Sequence, residues 1–384
     1  MSSVGIGHVR RSLAIADKLR RMKRDVNLKI DFVAAEPALS FLRKAGENVL
    51  EVSSRLESLS SMMEKDARGG RIPDMSKVAS DSQEGAKRNY SLLKPILETY
   101  DVLIQDEFVE TLFSFMWDKD AQLPQKRVVI TDYVQLETES SNPFSKLKLS
   151  YANKMLKRAY MDQQLRIFLD TPDALPQSTE MRKWIASNFH VLGPVIENFV
   201  PQEARDDIIK TLLGRSEAKF VVFNLGGTSI GKPLAQFVIR NADILSERLD
   251  AYLVVLLGPR ISLAELREAK STRISLIPFT LDALKFFKIA DCVVTQAGAS
   301  SLYEIAAMGV PCVTMPIANH FEQRQNSERF ANRFGFEILE YEELSLATLQ
   351  KAVVNAISKE KYQPMRPTNA ALSAATLINS LIGY

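Results

Sequence analysis

Cysteine and histidine are scarce, with two of the first and three of the second in 384 residues. Two cysteines cannot build the disulfide framework of a small secreted fold. Each lies inside an apolar run, DCVVT around Cys292 and PCVTM around Cys312, where it reads as a small buried hydrophobe. The histidines have no ligand-like spacing, so neither a metal nor a disulfide is expected, and a reducing cytoplasm fits. No apolar run approaches the roughly 18 residues of a membrane span, and no signal peptide is visible. The longest apolar stretch, Tyr252 to Leu257, reads as a buried strand. A net charge of +3 makes no case for nucleic acid. The positive charge is uneven, because Arg10, Arg11, Lys18, Arg20, Arg21, Lys23 and Arg24 crowd the first helix, where a solvated face is the expectation.

What is present is an alternation of short apolar strands with helical stretches. The length suggests two domains, at about 100 to 200 residues each. The first half offers strands at 28–35, 101–105, 127–131 and 165–170, with helical patterns at 10–22, 36–45 and 147–160. Between 54 and 90 the pattern lapses into a polar excursion. The alternation restarts after Gly193-Pro194 and a polar helix near 201–212. Strands are expected at 219–225, 251–257, 274–277, 291–295 and 311–315, between helices near 232–247, 261–270, 282–290, 300–308 and 323–334. Strands apolar on both faces mean parallel sheets covered on both sides. The fold class is therefore α/β, two doubly wound Rossmann-like domains facing across a cleft, with ligands at the carboxyl ends of the strands.

Two turns follow strands. KFVVFNL runs into GGTSIGKPL, where Gly226 and Gly227 accept conformations barred to other residues, and Thr228 and Ser229 add hydroxyls beside free N–H groups. DCVVT runs into QAGASSLYE, where Gly298, Ala299 and Ser301 place small side chains at a helix start that favours phosphate. Glu304, one turn further in, could accept from a vicinal ribose diol, or simply serve as a first-turn charge. At the other end of the chain, GIGH at 5–8 is a glycine-rich turn with only four residues before Gly5, too few for the strand such turns follow.

The set GIGHVRRS, NLGGTSIGKPL, TQAGASSLYEIAAMGVPCVTMP and HFEQRQN resembles the nucleotide-sugar glycosyltransferases of the two-Rossmann-domain type, and within them the MurG-like, family 28-like group. The resemblance implies an N-terminal acceptor domain over 1–195, a linker over 196–217, a nucleotide-sugar domain over 218–365 and a last helix over 366–384 that crosses back. It implies Thr228 and Ser229 near a diphosphate, Gly298, Ala299 and Ser301 donating to it, and Glu304 on the ribose. Phe279 and Thr280 would line the uracil edge, and Glu322, Gln323 and Gln325 would contact sugar hydroxyls. The implied donor is a UDP-sugar, with N-acetylglucosamine the expected sugar, transferred with inversion to an acceptor that is lipid-linked in the family's best known member. Two features depart from the family: no arginine stands near Ile196, and the strand before GIGH is missing, which points to a start placed too far downstream or a truncated copy.

Transfer of this kind needs a base for the acceptor hydroxyl. His8 is the first candidate, with Asp132, Asp106 and Glu107 at strand ends behind it. A helix N-terminus and a ring of N–H groups can meet the charge on UDP, so no metal and no cofactor is expected. The DKD at 118–120 follows a helix-like run and reads as a loop. The basic stretch at 146–161, with the cluster at 10–24, suggests contact with an anionic membrane surface. A UDP-sugar 2-epimerase and a non-catalytic nucleotide-sugar-binding protein stand beside this reading.

Overall fold

The computed structural model describes residues 7–23, 28–58, 64, 75–118, 123–136, 143–176, 178–196, 201, 203–214, 219–266, 271–359 and 362–383. The chain divides into two compact units. One takes 1–62, 76–197 and 368–384, and the other takes 63–75 and 198–367.

The first unit has a parallel sheet of four strands in chain order: β1 (Val102–Asp106), β2 (Lys126–Thr131), β3 (Leu165–Phe168) and β4 (His190–Val191). Its longer helices are α1 (Gly7–Met22), α2 (Ala38–Lys44), α3 (Met75–Leu97), α4 (Pro143–Met161) and α5 (Thr179–Asn188). The strands are apolar on both faces because both are covered. On one face Val128, Ile130 and Ile167 meet Ile15 and Leu19 of α1, and on the other Val129 and Phe168 meet Leu156 and Tyr160 of α4.

The second unit has six parallel strands: β5 (Phe220–Asn224), β6 (Tyr252–Leu256), β7 (Ile274–Ile277), β8 (Cys292–Thr295), β9 (Cys312–Thr314) and β10 (Glu337–Ile338). Their order is β10-β9-β8-β5-β6-β7, so the winding reverses between β5 and β8. Around them lie α6 (Arg205–Leu213), α7 (Lys232–Arg240), α8 (Ala242–Leu249), α9 (Ala283–Ile289), α10 (Ala299–Met308), α11 (Phe321–Phe334) and α12 (Leu346–Ser358). The last helix, α13 (Ala370–Ile382), belongs to the first unit. It presents Ala371, Ala374, Ala375 and Ile378 to the α1 face of that unit's sheet.

Several local expectations fail for identifiable reasons. The stretch at 28–35 forms no ladder beyond a single bridge from Phe32 to Val49, since among the described residues no strand pairs with its other side. The polar excursion gives way to α3, whose Ala86, Tyr90, Leu93 and Leu97 recur at helical spacing and are buried. The helix expected over 232–247 breaks at Asn241, whose side-chain amide donates to the Phe237 carbonyl. The helix expected at 261–270 is one short turn, Leu263–Glu265, with 267–270 outside the described residues. Cys292 and Cys312 are unbridged and buried, and burial raises both thiol pKa values.

Ile378 is fully buried, whereas Leu372 on the outer face of the same helix is 42% exposed. We expect Ile378→Ala to cost about 2–5 kcal/mol by urea denaturation and Leu372→Ala under about 0.5 kcal/mol. Equal losses would show that α13 does not pack this face.

Candidate active site

The first unit gathers five ionisable side chains at the carboxyl ends of β1 and β2. His8 and Arg11 lie on one face of the first turns of α1. Asp106 ends β1, Glu107 follows it, and Asp132 follows β2. His8 Nδ1 is 3.0 Å from Asp106 Oδ1, and Ser12 Oγ donates to Asp106 Oδ2 at 2.7 Å. The Arg11 guanidinium reaches all three acids: Nε to Asp106 Oδ2 at 3.0 Å, Nη1 to Asp132 Oδ2 at 2.6 Å and Nη2 to Glu107 Oε1 at 3.3 Å. This fork is what a planar guanidinium does and an ammonium cannot.

The acids divide their charge unequally. Burial opposes ionisation of Asp106, but Arg11 and His8 overcome it and hold its carboxyl far below the usual range. Asp132 is held low in the same way by Arg11 and His8 against burial. Glu107 is pushed up to about 8, by burial first and then by the charge of Asp132. Its Oε1 accepts from the Asp132 N–H at 2.8 Å and from Thr131 Oγ1 at 3.1 Å, and its Oε2 lies 3.6 Å from His8 Nε2. Burial and Arg11 lower the pKa of His8, Glu107 and Asp106 raise it, and the net shift is upward. The backbone at Glu107 is left-handed (φ 48°), a conformation non-glycine residues hold only when surroundings enforce it.

Sequence reasoning named His8 and Asp132 but missed Arg11 as the hub. The readable signal was the spacing of His8, Arg11 and Ser12 on one helix face. The first-helix basic cluster is solvated at Arg21 but turns inward at Arg11. Arg11 is 7% exposed, Arg20 pairs with Glu47, and Arg21 pairs with Asp17. Asp118 closes on Lys94 and Tyr90, a structural role.

In the second unit β5 and β8 pair in parallel, Asn224 opposite Thr295, so the two glycine turns emerge side by side where the winding reverses. Asn224 Nδ2 donates to Thr295 Oγ1 at 3.2 Å and Ser301 Oγ at 3.3 Å, tying one turn to the other. The Gln296 amide, oriented by its neighbours, donates to the Leu225 carbonyl and accepts from the Gly231 N–H. Gly226 has φ 72°, and a Cβ on Gly258, just past β6, would stand 2.1 Å from the Gly226 carbonyl oxygen. Gly227 adjoins that contact, and Thr228 precedes the short turn Ser229–Gly231. Gly298 caps α10 with no side-chain hydrogen bond, so the N–H groups of Ala299 and Ser301 in its first turn have no side-chain cap. Glu304 is buried within α10.

Ser229 Oγ donates to Glu64 Oε2 at 3.0 Å, and Arg260 Nε lies 3.3 Å from Glu64 Oε1. The turn thus already faces a carboxylate, whose pKa burial raises. Phe279 and Thr280 follow β7 at the end of the sheet, and Thr280 Oγ1 accepts from the Asp282 N–H. Glu322, Gln323 and Gln325 lie in the first turns of α11, where Gln323 Oε1 accepts from the Ile317 N–H at 2.9 Å. Sequence reasoning missed Asn224, Gln296, Gly258, Glu64 and Arg260.

Glu107 binds its proton more tightly folded than unfolded. Its contribution is therefore present in acid and lost as pH rises from about 4.5 through about 8, and raised His8 acts with the same sign. Asp106 and Asp132, held low, lose stability only as pH falls below the ordinary carboxylate range. We expect urea stability to fall between pH 5 and 9, and Glu107→Gln to flatten that slope. Identical slopes would place the proton elsewhere.

Residues 221–382 match the model of the glycosyltransferase family 28 C-terminal domain. An uncharacterized glycosyltransferase of Methanopyrus kandleri is 23% identical over 209 residues, 53% of this chain and 56% of that protein. The UDP-N-acetylglucosamine--N-acetylmuramyl-(pentapeptide) pyrophosphoryl-undecaprenol N-acetylglucosamine transferase of Bacillus licheniformis is 28% identical over 159 residues, 39% of this chain and 43% of its own length. The chain thus spans about half the length of the curated relatives it matches. Among solved structures, the glycotransferase of kitacinnamycin shares the fold with a TM-score of 0.63 at 16% identity, over 98% of this chain and 96% of that one. Residues 221–382 thus carry the C-terminal domain of glycosyltransferase family 28, and the chain is similar to the MurG-like group, with a two-unit α/β fold of the GT-B type.

Proposed function

We propose that the protein transfers a sugar, N-acetylglucosamine in our reading, from a UDP-sugar to an acceptor hydroxyl with inversion and without a metal. The observation that carries this is the pair of glycine turns joined by Asn224 at the winding reversal, beside an uncapped helix start. Main-chain N–H groups of Gly226, Gly227, Gly298, Ala299 and Ser301 would receive the diphosphate, displacing Glu64 from Ser229. Thr228 would border it, Glu304 would take the ribose, and Phe279 with Thr280 the base. Glu322, Gln323 and Gln325 would meet the sugar.

His8 is the base in this reading. Asp106 at Nδ1 fixes the tautomer and stabilises the imidazolium. Nε2 takes the hydroxyl proton as the oxygen bonds to the anomeric carbon, and the sugar–phosphate bond breaks with its electron pair going to UDP. The growing charge on UDP is met by the helix start. Asp132 acts through Arg11 as a positioning group. We expect His8→Ala to lower acceptor-dependent UDP release about 100-fold or more while leaving UDP affinity within twofold. Asp106→Asn should move the alkaline-rising limb of the rate profile to lower pH. Glu304→Ala should weaken UDP at least about tenfold by calorimetry. UDP release that ignores every lipid-linked and soluble acceptor offered would defeat the transferase reading.

For the acceptor, α4 is suggestive. Phe144, Leu147 and Tyr151 are 74%, 70% and 61% exposed at helical spacing, flanked by exposed Lys146, Lys148 and Lys154. Such a face suits the surface of an anionic membrane, as a lipid-linked acceptor would require. Among the described residues no helix is long and apolar enough to cross a membrane. Vesicles containing phosphatidylserine should co-sediment the protein, and Leu147→Glu should reduce this at least about fivefold. Equal binding to neutral vesicles would sink the electrostatic part.

A further inference from the structure

The turn between β8 and α10 carries N–H groups that meet the diphosphate in our reading, and its shape hangs on Ala297. The backbone there is left-handed (φ 61°), and the residue is fully buried. Asp250 and Asn319 hold the same conformation, but they are of the short polar kind that tolerates it. A methyl group gives no such help. For an alanine the conformation is disfavoured about tenfold, about 1.4 kcal/mol. The surroundings must therefore impose it, and residues held in this way gather at functional sites.

The group that imposes it belongs to α11. Asn326, 5% exposed, sits in the second turn of that helix, and its Nδ2 donates to the Ala297 carbonyl at 3.3 Å. Arg329, three residues further on, donates from Nη2 to Asn326 Oδ1 at 2.9 Å. A guanidinium only donates and a carbonyl only accepts, so the carboxamide has one orientation, with its nitrogen toward the turn. Without that nitrogen a buried carbonyl would lose its hydrogen bond from Asn326. Three residues back on the same helix, Gln323 Oε1 accepts from the Ile317 N–H just past β9. One helix thus grips the main chain that leaves two neighbouring strands, β8 and β9.

We propose that Asn326 is a positioning residue for the nucleotide sugar: it holds the Ala297 carbonyl, fixes the left-handed turn and so aims the Ala299 and Ser301 N–H groups at the diphosphate. Gly298 follows directly and caps α10 without a side-chain bond, so the direction of the helix start depends on the turn before it. The turn also sets the first helical bond, from the Leu302 N–H to the Gly298 carbonyl at 3.2 Å. The role rests on the sugar-transfer reading for its ligand, but not for the conformation that Asn326 holds.

The test pairs Asn326→Ala with Ala297→Gly, because glycine stands in the left-handed region without penalty and needs no holding. By calorimetry on the full chain, Asn326→Ala should weaken UDP about tenfold. Asn326→Asp should weaken it at least as much, since a carboxylate keeps the Arg329 contact but turns an acceptor toward the carbonyl. Ala297→Gly alone should stay within about threefold of the unaltered chain, and in its background Asn326→Ala should cost less than about threefold more. A mere loss of packing at Asn326 would not be rescued 29 residues away. UDP affinity of Asn326→Ala within about twofold of the unaltered chain, or an equal loss in both backgrounds, overturns the proposal. Amide exchange at Leu302 in the ligand-free protein reads the same cycle without UDP. Asn326→Ala should speed it at least about fivefold, and adding Ala297→Gly should reverse most of that. If the unaltered chain binds no UDP, the sugar-transfer reading fails and the exchange cycle decides what Asn326 does, unchanged exchange overturning its role. If Asn326→Ala fails to fold, Asn326→Ser, too short to reach the carbonyl, takes its place in both cycles.

Discussion

The carboxyl ends of β1 and β2 bring Asp106, Glu107 and Asp132 into one buried site, and Arg11 is what permits it. Two like charges about 4 Å apart repel by about 4 kcal/mol even at an effective dielectric of 20. Three ionised acids without a counter-charge would therefore open the unit. One guanidinium answers two of them, and the third, Glu107, stays protonated. Removing one member of such a buried set leaves another uncompensated, a loss of about 3–5 kcal/mol. The placement of α1 follows from this. Its first turns are pinned by charge to the strand ends, and its apolar face is pinned by Ile15 and Leu19 against α13 and the sheet. His8, three residues before Arg11 on the same helix face, meets Asp106 through the same pinning.

The second unit works on a different principle. Its turns are shaped by close approach of main chain to main chain, with Gly258 against Gly226 and the Gln296 amide bridging Leu225 to Gly231. No ionisable group is needed to make such a surface attractive to an anion, since oriented N–H groups and a helix start suffice. Glu64 against Ser229 and Arg260 shows the same surface meeting a carboxylate.

This contrast explains what could be read from the sequence. The alternation of apolar strands with helices carries fold class, because parallel strands must be apolar on both faces, and Val221 to Phe223 and Val293 to Val294 are fully buried. The glycine turns were legible because glycine has few reasons to recur at two strand ends. Gln296 and Asn224 were not, since a carboxamide in sequence carries no sign of which carbonyl or hydroxyl it will reach 71 residues away. Arg11 was hidden in a basic run, where one inward-facing arginine cannot be told from its solvated neighbours. The 28–35 stretch pairs only through the bridge from Phe32 to Val49, because β-branched composition reports burial, whereas a ladder also requires a strand alongside.

β1 is where these constraints meet. One edge is fully laddered to β2 from Val102 to Asp106, and among the described residues it is the end strand of its sheet. At its end the chain turns into the left-handed conformation of Glu107, held by the Glu107 N–H on the Ile130 carbonyl at 3.1 Å and by the bonds that carboxyl accepts. A strand laddered on one side opens locally more readily than one laddered on both. Opening β1 would move Asp106 away from Arg11 and His8 together, so the protonation of the acid cluster and the order of the strand edge are coupled.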